Sequence, residues 1–463
     1  MTFINELLNN ANDFLYGYIL IALLVLAGIY FTIKTKFVQI TMIPEAFRTL
    51  TEKKSNEKGV SSFQALMIST ASRVGTGNIA GVASALASGG PGAIFWMWLL
   101  GVIGSASAFV ESTLAQIYKE KDGKAFRGGP AYYIQKALGK RWLGIIFAIL
   151  LILCFAFGFN ALQAYNVSSA VEYYVSGAEA KKILGLVIGF ILMIATAYTI
   201  FGGVHRIGII TSVIVPIMAI LYICLGLFIT LTNITALPAI FSEVFKQAFD
   251  IKAISGGFMG SCVMYGIKRG LFSNEAGMGS APNAAATADV SHPVKQGLVQ
   301  MISVYIDTLV ICTTTAMMIL VYGVGNGEKG IPLVQQAVKS QVGEIGIHFI
   351  IVSIIFFAFS SMVGNYCYAE SNLRFIKDNK VVLLVFRLFC LGAIVLGSIA
   401  NFDTVWNLAD VLMGFMAIVN IIAILLLYPI AVKALDDYKK QKKEGKDPIF
   451  KAANIGIDNA ECW

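Results

Sequence analysis

Charge is scarce in this 463-residue sequence: only 13% of residues are Asp, Glu, Lys or Arg, about half the share in soluble chains. Because 57% are hydrophobic and the mean hydropathy is +0.74, the shortage excludes an ordinary soluble protein, a disordered chain and a collagen. Histidine is rarer still. His205, His292 and His348 lack metal-ligand spacing and read as loop or helix-end residues. The seven cysteines are scattered, so neither a disulfide framework nor a zinc site follows. No Ser/His/Asp grouping, HExxH or Walker-type motif is present, which argues against an enzyme. No Lys or Arg precedes Lys34. The basic start of a cleaved signal peptide is therefore missing, and the first apolar run is expected to stay.

Long apolar runs are what the chain does have. A bilayer core needs about 20 apolar residues per helix, and eleven such runs occur, at 15–33, 61–87, 91–118, 142–175, 182–203, 206–232, 253–286, 296–324, 345–372, 380–400 and 404–433. The expected fold is an all-α integral membrane protein with 11 transmembrane helices. Of the 35 basic residues, 25 fall in connections on one side and six on the other. The positive-inside rule then puts the N-terminus outside and the C-terminus in the cytoplasm of a plasma-membrane protein. The net charge of +8 is thus a topology signal and indicates no nucleic-acid partner. The connections 234–251 and 331–343 are amphipathic and too short to span. The tail 434–448 mixes both signs of charge and reads as a solvated helix end followed by disorder.

Two runs are interrupted at mid-depth. The second carries Gly75, Gly77 and Gly81 beside Arg73, Thr76 and Asn78; the seventh carries Gly270, Gly277 and Gly279 beside Lys268, Arg269, Ser273, Asn274 and Glu275. Unsatisfied backbone in hydrocarbon costs several kcal/mol per group, so such breaks survive only against protein or a water-filled cavity. Close packing through small residues is the simpler reading of an isolated Gly. Charged neighbours favour a functional cavity. The breaks lie five runs apart and enter from opposite sides, which predicts two five-helix units of opposite orientation and a midplane transport site. The expected division is 1–60 as an extra helix and loop, 61–232 and 253–433 as the two units, and 434–463 as a charged tail.

Half-helix N-termini suit a carboxylate, and freed carbonyls suit Na⁺ or an ammonium, so a zwitterion fits both. In the fourth run, Asn160, Gln163 and Asn166 lie within about two helical turns. In the ninth, the adjacent Ser360 and Ser361 hydroxyls can complete a cation site with backbone carbonyls. Interhelical hydrogen bonding is the alternative role for Asn166 and Tyr366.

GGPGAIFWMWLLGVIG (89–104), SRVGTGNIAGVA (72–83) and GLFSNEAGMGSAPNAAATA (270–288) resemble the diagnostic segment and the two broken helices of the alanine or glycine:cation symporter family. The likeness runs from roughly residue 15 to 435. It implies a LeuT-like five-plus-five inverted repeat (spans 2–6 and 7–11) preceded by one extra helix. It also implies a sodium site made by the carbonyls of Ala71, Val74 and Phe357 with the Ser360 and Ser361 hydroxyls. Arg73 matches a carbonyl ligand of that fold's other sodium site, and its positive charge argues for a single cation.

The expected function is import of alanine or glycine with one Na⁺ by alternating access. The N–H groups of Gly75, Thr76 and Gly77, next to Asn78, would hold the carboxylate, with Gln163 beside it. Carbonyls near Leu271 and Phe272, with Ser273 or Asn274, would accept from the ammonium. Phe159, Phe272 and Met278 would wall off larger side chains. H⁺ coupling through Glu275 or Asp307 is the nearest rival, and an ion channel a more distant one. Arg73, Lys268, Arg269, Glu111, Glu275, Asp307 and Asp410 need partners, in static pairs or in a gate. The amino acid and the lipid bilayer are the partners expected, and no obligate protein partner is indicated.

Overall fold

The computed structural model describes residues 2–52, 60–123, 125–250, 261–325, 327–457 and 459–463. Among them, nine helices are long and apolar enough to cross a bilayer: Asn5–Lys34, Gly92–Ile117, Arg141–Tyr174, Ala178–Ile200, Arg206–Thr232, Pro293–Tyr322, Glu344–Ile376, Lys380–Ser398 and Phe402–Lys443. They coincide with nine of the eleven expected runs. The other two runs are each a helix, a break and a second helix. The first broken segment comprises Ser62–Arg73 and Ala80–Gly89, the second Cys262–Asn274 and Ala281–Thr287. The expected start of the second, 253–260, lies outside the described residues, as do the basic residues Lys53, Lys54, Lys58, Lys124 and Lys252.

The broken segments run in opposite directions. At one end the Asp289 N–H donates to the Val60 carbonyl (2.9 Å), so the start of the first meets the end of the second. At the other end a Cβ on Gly89 would lie 3.3 Å from Cys262 Cα, so the end of the first meets the start of the second. Gly92–Ile117 packs along this pair. A Cβ on Gly266 would stand 2.3 Å from the Ala93 carbonyl, and one on Gly297, in the neighbouring helix Pro293–Tyr322, would stand 2.2 Å from Thr113 Oγ1. Small residues let these backbones approach, as membrane packing requires. The aromatic stretch at 95–98 serves this packing: Trp96 Nε1 donates to the Ala248 carbonyl (3.2 Å) and Trp98 Nε1 to Thr313 Oγ1 (2.8 Å).

The longest helix, Phe402–Lys443, has 42 residues and reaches about 63 Å at 1.5 Å per residue. Near its start it meets the N-terminal segment, where Asn12 Nδ2 donates to Asn407 Oδ1 (2.9 Å) and Thr404 Oγ1 to Asn5 Oδ1 (2.9 Å). Chain start and chain end therefore lie at opposite ends of the bundle. The amphipathic connections are helices, Leu237–Ala248 and Ile331–Val342.

The tail departs from expectation. The last helix continues to Lys443, and the residues after it fold back. Phe450 is buried and donates its N–H to the Ser291 carbonyl (2.9 Å), and Trp463 Nε1 donates to the Gln116 carbonyl (2.8 Å). Charge density at 434–448 masked the apolar residues beyond it, Phe450, Ile455 and Trp463, which supply the buried surface that disorder lacks. An antiparallel hairpin, β1 (Glu120–Asp122) and β2 (Ala125–Arg127), lies at the same end, joined to the tail by Lys136, which pairs with Glu120 (3.1 Å) and Glu461 (2.8 Å).

Candidate functional site

The first break begins where the chain leaves helical geometry at Val74 (φ −76°, ψ 83°) and Gly75 becomes extended. Gly75 is required here by a close approach: a Cβ would stand 2.3 Å from Ser361 Oγ and 3.0 Å from Gln163 Nε2. The freed N–H groups are used. Gly75 donates to Asn78 Oδ1 (3.1 Å) and Thr76 to Gln163 Oε1 (3.1 Å), while Asn166 Nδ2 donates to Thr76 Oγ1 (2.7 Å). Gln163 and Asn166 of the Arg141–Tyr174 helix thus both bond Thr76.

Four of the oxygen atoms implied as cation ligands are bonded in two pairs. Ser361 Oγ donates to the Ala71 carbonyl (2.9 Å) and Ser360 Oγ to the Phe357 carbonyl (3.0 Å). Ala71, Val74, Phe357, Ser360 and Ser361 are all buried. A hydroxyl that donates in this arrangement can rotate to offer its lone pairs, the chemistry a hard cation takes.

In the second break, Glu275 adopts the left-handed conformation (φ 54°) that favours glycine. Its carboxylate is held by Ser280 Oγ (2.6 Å) and Ser72 Oγ (3.0 Å), the latter on the first broken segment. The N–H groups of Gly277 and Gly279 donate to Glu111 Oε1 (3.2 Å) and Oε2 (3.1 Å), and Asn420 Nδ2 adds a third bond to Oε2 (2.7 Å). A buried carboxylate from Gly92–Ile117 therefore occupies the donors of this half-helix.

Between the breaks stands Asp307. It accepts from Asn78 Nδ2 (2.7 Å), Ser273 Oγ (2.5 Å) and Thr308 Oγ1 (3.3 Å), so Asn78 and Ser273 meet across the two segments. Phe272 packs against Gly77, where a Cβ would stand 2.4 Å from Cε1, and against Phe159, with ring centroids 4.7 Å apart. Gly75, Thr76, Gly77, Asn78, Phe159, Gln163, Phe272 and Ser273 are therefore one cluster. Leu271 and Asn274 instead close the break itself: the Leu271 carbonyl accepts from Glu275 N–H (3.0 Å) and Asn274 Oδ1 from Ala276 N–H (3.0 Å). Met278 is fully buried beyond Glu275 and donates its N–H to the Glu275 carbonyl (3.2 Å).

The intramembrane charges are partnered unevenly. Asp410 takes both Lys268 (2.8 Å) and Arg269 (2.6 Å). Arg73, also buried, bonds Ser303 and Gln300 and leaves Nε and Nη2 without hydrogen bonds among the described residues. Sequence reasoning missed Trp406. It lies one helical turn before Asp410, under the Arg269 guanidinium (4.3 Å) and against Phe272 (5.2 Å), and its only signal was that spacing. Phe402 (5.9 Å from Trp406) continues the aromatic row to a cavity of about 380 Å³ lined by Tyr165, Asn166, Ser169, Lys329, Phe402 and Asp403. Asn166 thus touches both this vestibule and Thr76.

The profile of the sodium:alanine symporter family matches residues 1–452. The chain is 49% identical over 463 residues to the amino-acid carrier protein AlsT of Bacillus subtilis (strain 168), covering 100% of this chain and 98% of that one. It is 48% identical over 458 residues to the probable sodium/glutamine symporter GlnT of the same organism, covering 98% and 95%. The crystal structure of MhsT in complex with L-phenylalanine shares the fold at 14% identity, with a TM-score of 0.55, covering 82% of this chain and 99% of that one. The fold is thus LeuT-like, and the chain belongs to the sodium:alanine symporter family, whose members are transporters rather than enzymes.

Proposed function

We propose that this protein imports a small neutral amino acid, alanine or glycine, with one Na⁺ by alternating access. The two broken segments complete an eleven-span bundle, with five-helix units at 61–232 and 253–433 in inverted orientation after one extra helix. The basic end that holds the tail faces the cytoplasm, and the N-terminus faces out. The carrying observation is the pairing of Ser361 with the Ala71 carbonyl beside Gly75. It supports a cation held next to the N–H groups that would take the substrate carboxylate.

A carboxylate would replace Asn78 Oδ1 and Gln163 Oε1 on the N–H groups of Gly75 and Thr76, with Gly77 N–H adjacent. Ser273 and the Phe272 carbonyl face the ammonium. The Phe159–Phe272 pair, with ring centroids 4.7 Å apart, would limit the substrate to a small side chain. Na⁺ held by Ala71, Val74, Phe357, Ser360 and Ser361 ties Glu344–Ile376 to the first break, so joint occupancy favours one arrangement of the two bundles. The family description and the name of the glutamine relative both specify sodium, which supports this cation.

Asp307 favours a second reading. Its described partners, Asn78, Ser273 and Thr308, are neutral, so a proton is a chemically sensible co-substrate there. Uptake of labelled alanine into proteoliposomes with Na⁺ and pH gradients imposed separately decides between them. A Na⁺ gradient alone should drive accumulation. Accumulation driven by ΔpH without Na⁺ would refute the sodium assignment.

A further inference from the structure

For a substrate held at mid-depth to leave toward the end that carries the tail, the halves of the two broken segments at that end must part. Those halves are Ser62–Arg73 and Ala281–Thr287. Their seam is the bond from the Asp289 N–H to the Val60 carbonyl (2.9 Å), backed by an apolar cluster of Ala65, Ala288 and Val290 with Val60. The tail lies against this seam. After Lys443 the chain turns at Gly445 (φ 75°) and runs beside the connection that follows the second segment. Lys295 joins Asp447 of the tail (3.1 Å) to Glu52 (2.7 Å), ahead of the first segment. Ser291 Oγ donates to the Pro448 carbonyl (2.8 Å), and the Phe450 N–H to the Ser291 carbonyl (2.9 Å). The Phe450 ring stands against His292 (5.1 Å) and Trp463 (5.4 Å). Trp463 packs against the seam cluster itself. Its Nε1 donates to the Gln116 carbonyl (2.8 Å), while Gln116 Nε2 donates to the Ala288 carbonyl (3.0 Å).

We propose that the residues after Lys443 are a closing strap: docked, they hold the tail-side ends of the two broken segments together, and opening on that side requires them to let go. The seam cluster is built of Ala and Val, so the Trp463 indole is the largest side chain on it, and an aromatic ring of that size carries a large share of the apolar contact. The strap is also thin. Pro448, Phe450, Ala452, Ile455 and Ala460 are buried, whereas Lys446, Asp447, Ile449, Lys451, Ala453 and Asn454 between them are exposed. A single solvent-facing layer of this kind opens at far lower free energy than the bundle beneath it. The strap rests on the alternating-access reading above and governs only how readily one mouth opens. Its partners Gln116, Ser291, His292 and Lys295 lie outside the central cluster, so variants in the strap leave the binding residues untouched.

Hydrogen exchange of the purified full chain, read by mass spectrometry beside alanine uptake in proteoliposomes, tests it. Phe450→Ala and Trp463→Ala should each speed exchange about tenfold in Ser62–Arg73 and Ala281–Thr287, and leave the opposite halves, Ala80–Gly89 and Cys262–Asn274, within about twofold of the unmodified chain. Half-saturating external alanine should rise about threefold with the maximal rate undiminished, because fewer transporters then wait open to the other side. Ser291→Ala, which removes one bond to Pro448, keeps the test open if an aromatic variant fails to fold. Exchange unchanged in all three variants overturns the strap. So does a rise shared by all four halves with a lower maximal rate, which would mark the tail as packing alone. The import reading fails separately: unmodified vesicles that accumulate no alanine under a Na⁺ gradient sink it, while faster exchange confined to the tail-side halves would still place the strap on the seam.

Discussion

The Ser361 hydroxyl donates to the Ala71 carbonyl across 2.9 Å, joining an unbroken helix to the last turn of Ser62–Arg73, just before the first break. Ser360 makes the matching bond within its own helix, to Phe357 (3.0 Å). If these oxygens are the sodium ligands, removing either hydroxyl removes one ligand and leaves the alanine contacts in place. Ser360→Ala and Ser361→Ala should each raise half-saturating Na⁺ about tenfold, given 1–3 kcal/mol for a buried polar partner. The KM for alanine at saturating Na⁺ should stay within about twofold. Unchanged sodium activation in both variants would sink the site.

The contact of Gly77 with Phe272 makes a separate test. A methyl group at Gly77 would overlap the ring edge at 2.4 Å, and the ring is already packed against Phe159 and Trp406. Overpacking of this kind costs about 1–3 kcal/mol. Gly77→Ala should therefore raise the KM for alanine at least tenfold, and adding Phe272→Leu should recover much of the loss. A double-mutant cycle reads the coupling directly; additive effects would mean that the two residues do not share the substrate wall.

Asp410 answers two cations, Lys268 and Arg269, and the arrangement reads as static structure rather than a gate. Arg269 meets both carboxylate oxygens (3.1 and 2.6 Å) and stacks on Trp406, while Lys268 lies over the Tyr16 ring. Removing the carboxylate strands two buried cations, at a cost of about 3–5 kcal/mol. Asp410→Asn should lower the thermal midpoint in detergent and lose transport in parallel. Transport lost with the midpoint unchanged would instead identify a moving gate.

Much of this was legible because membrane physics leaves strong marks. Nine apolar helices follow the expected runs within a few residues, except where the first starts already at Asn5 and the last runs on to Lys443. Gly75 and Gly77 were readable as breaks since their charged neighbours made simple packing unattractive. What stayed hidden depends on partners far apart in the chain. Glu111 and Asp307 were visible as carboxylates in apolar runs, yet nothing local says that one caps Gly277 and Gly279 while the other joins Asn78 to Ser273. Trp406 lacked any mark beyond its spacing from Asp410. The tail was misread because its charges precede the apolar residues that dock it.

Tail docking should respond to pH through Lys119. Its ammonium is buried just past Gly92–Ile117, donating to Gln116 Oε1 (2.8 Å) and the Ala288 carbonyl (3.0 Å) beneath the rings of Phe126 (4.0 Å) and Trp463 (4.7 Å). Cys462 Sγ donates to the Lys119 carbonyl (3.4 Å). Burial pulls the Lys119 pKa down to about 8, against the opposing pull of Cys462 and Asp289, whereas an undocked lysine titrates near about 10.4. Between those values the docked state has released a proton that the undocked state keeps. Raising the pH through this window therefore favours docking, and the gain is lost again as pH falls through about 8. Limited proteolysis of the segment after Lys443 should slow from pH 7.5 to 9.5 once corrected for intrinsic protease activity, and Lys119→Met should abolish the pH dependence. Faster cleavage at the higher pH in the unmodified chain would show that the caged ammonium, rather than its neutral form, holds the tail.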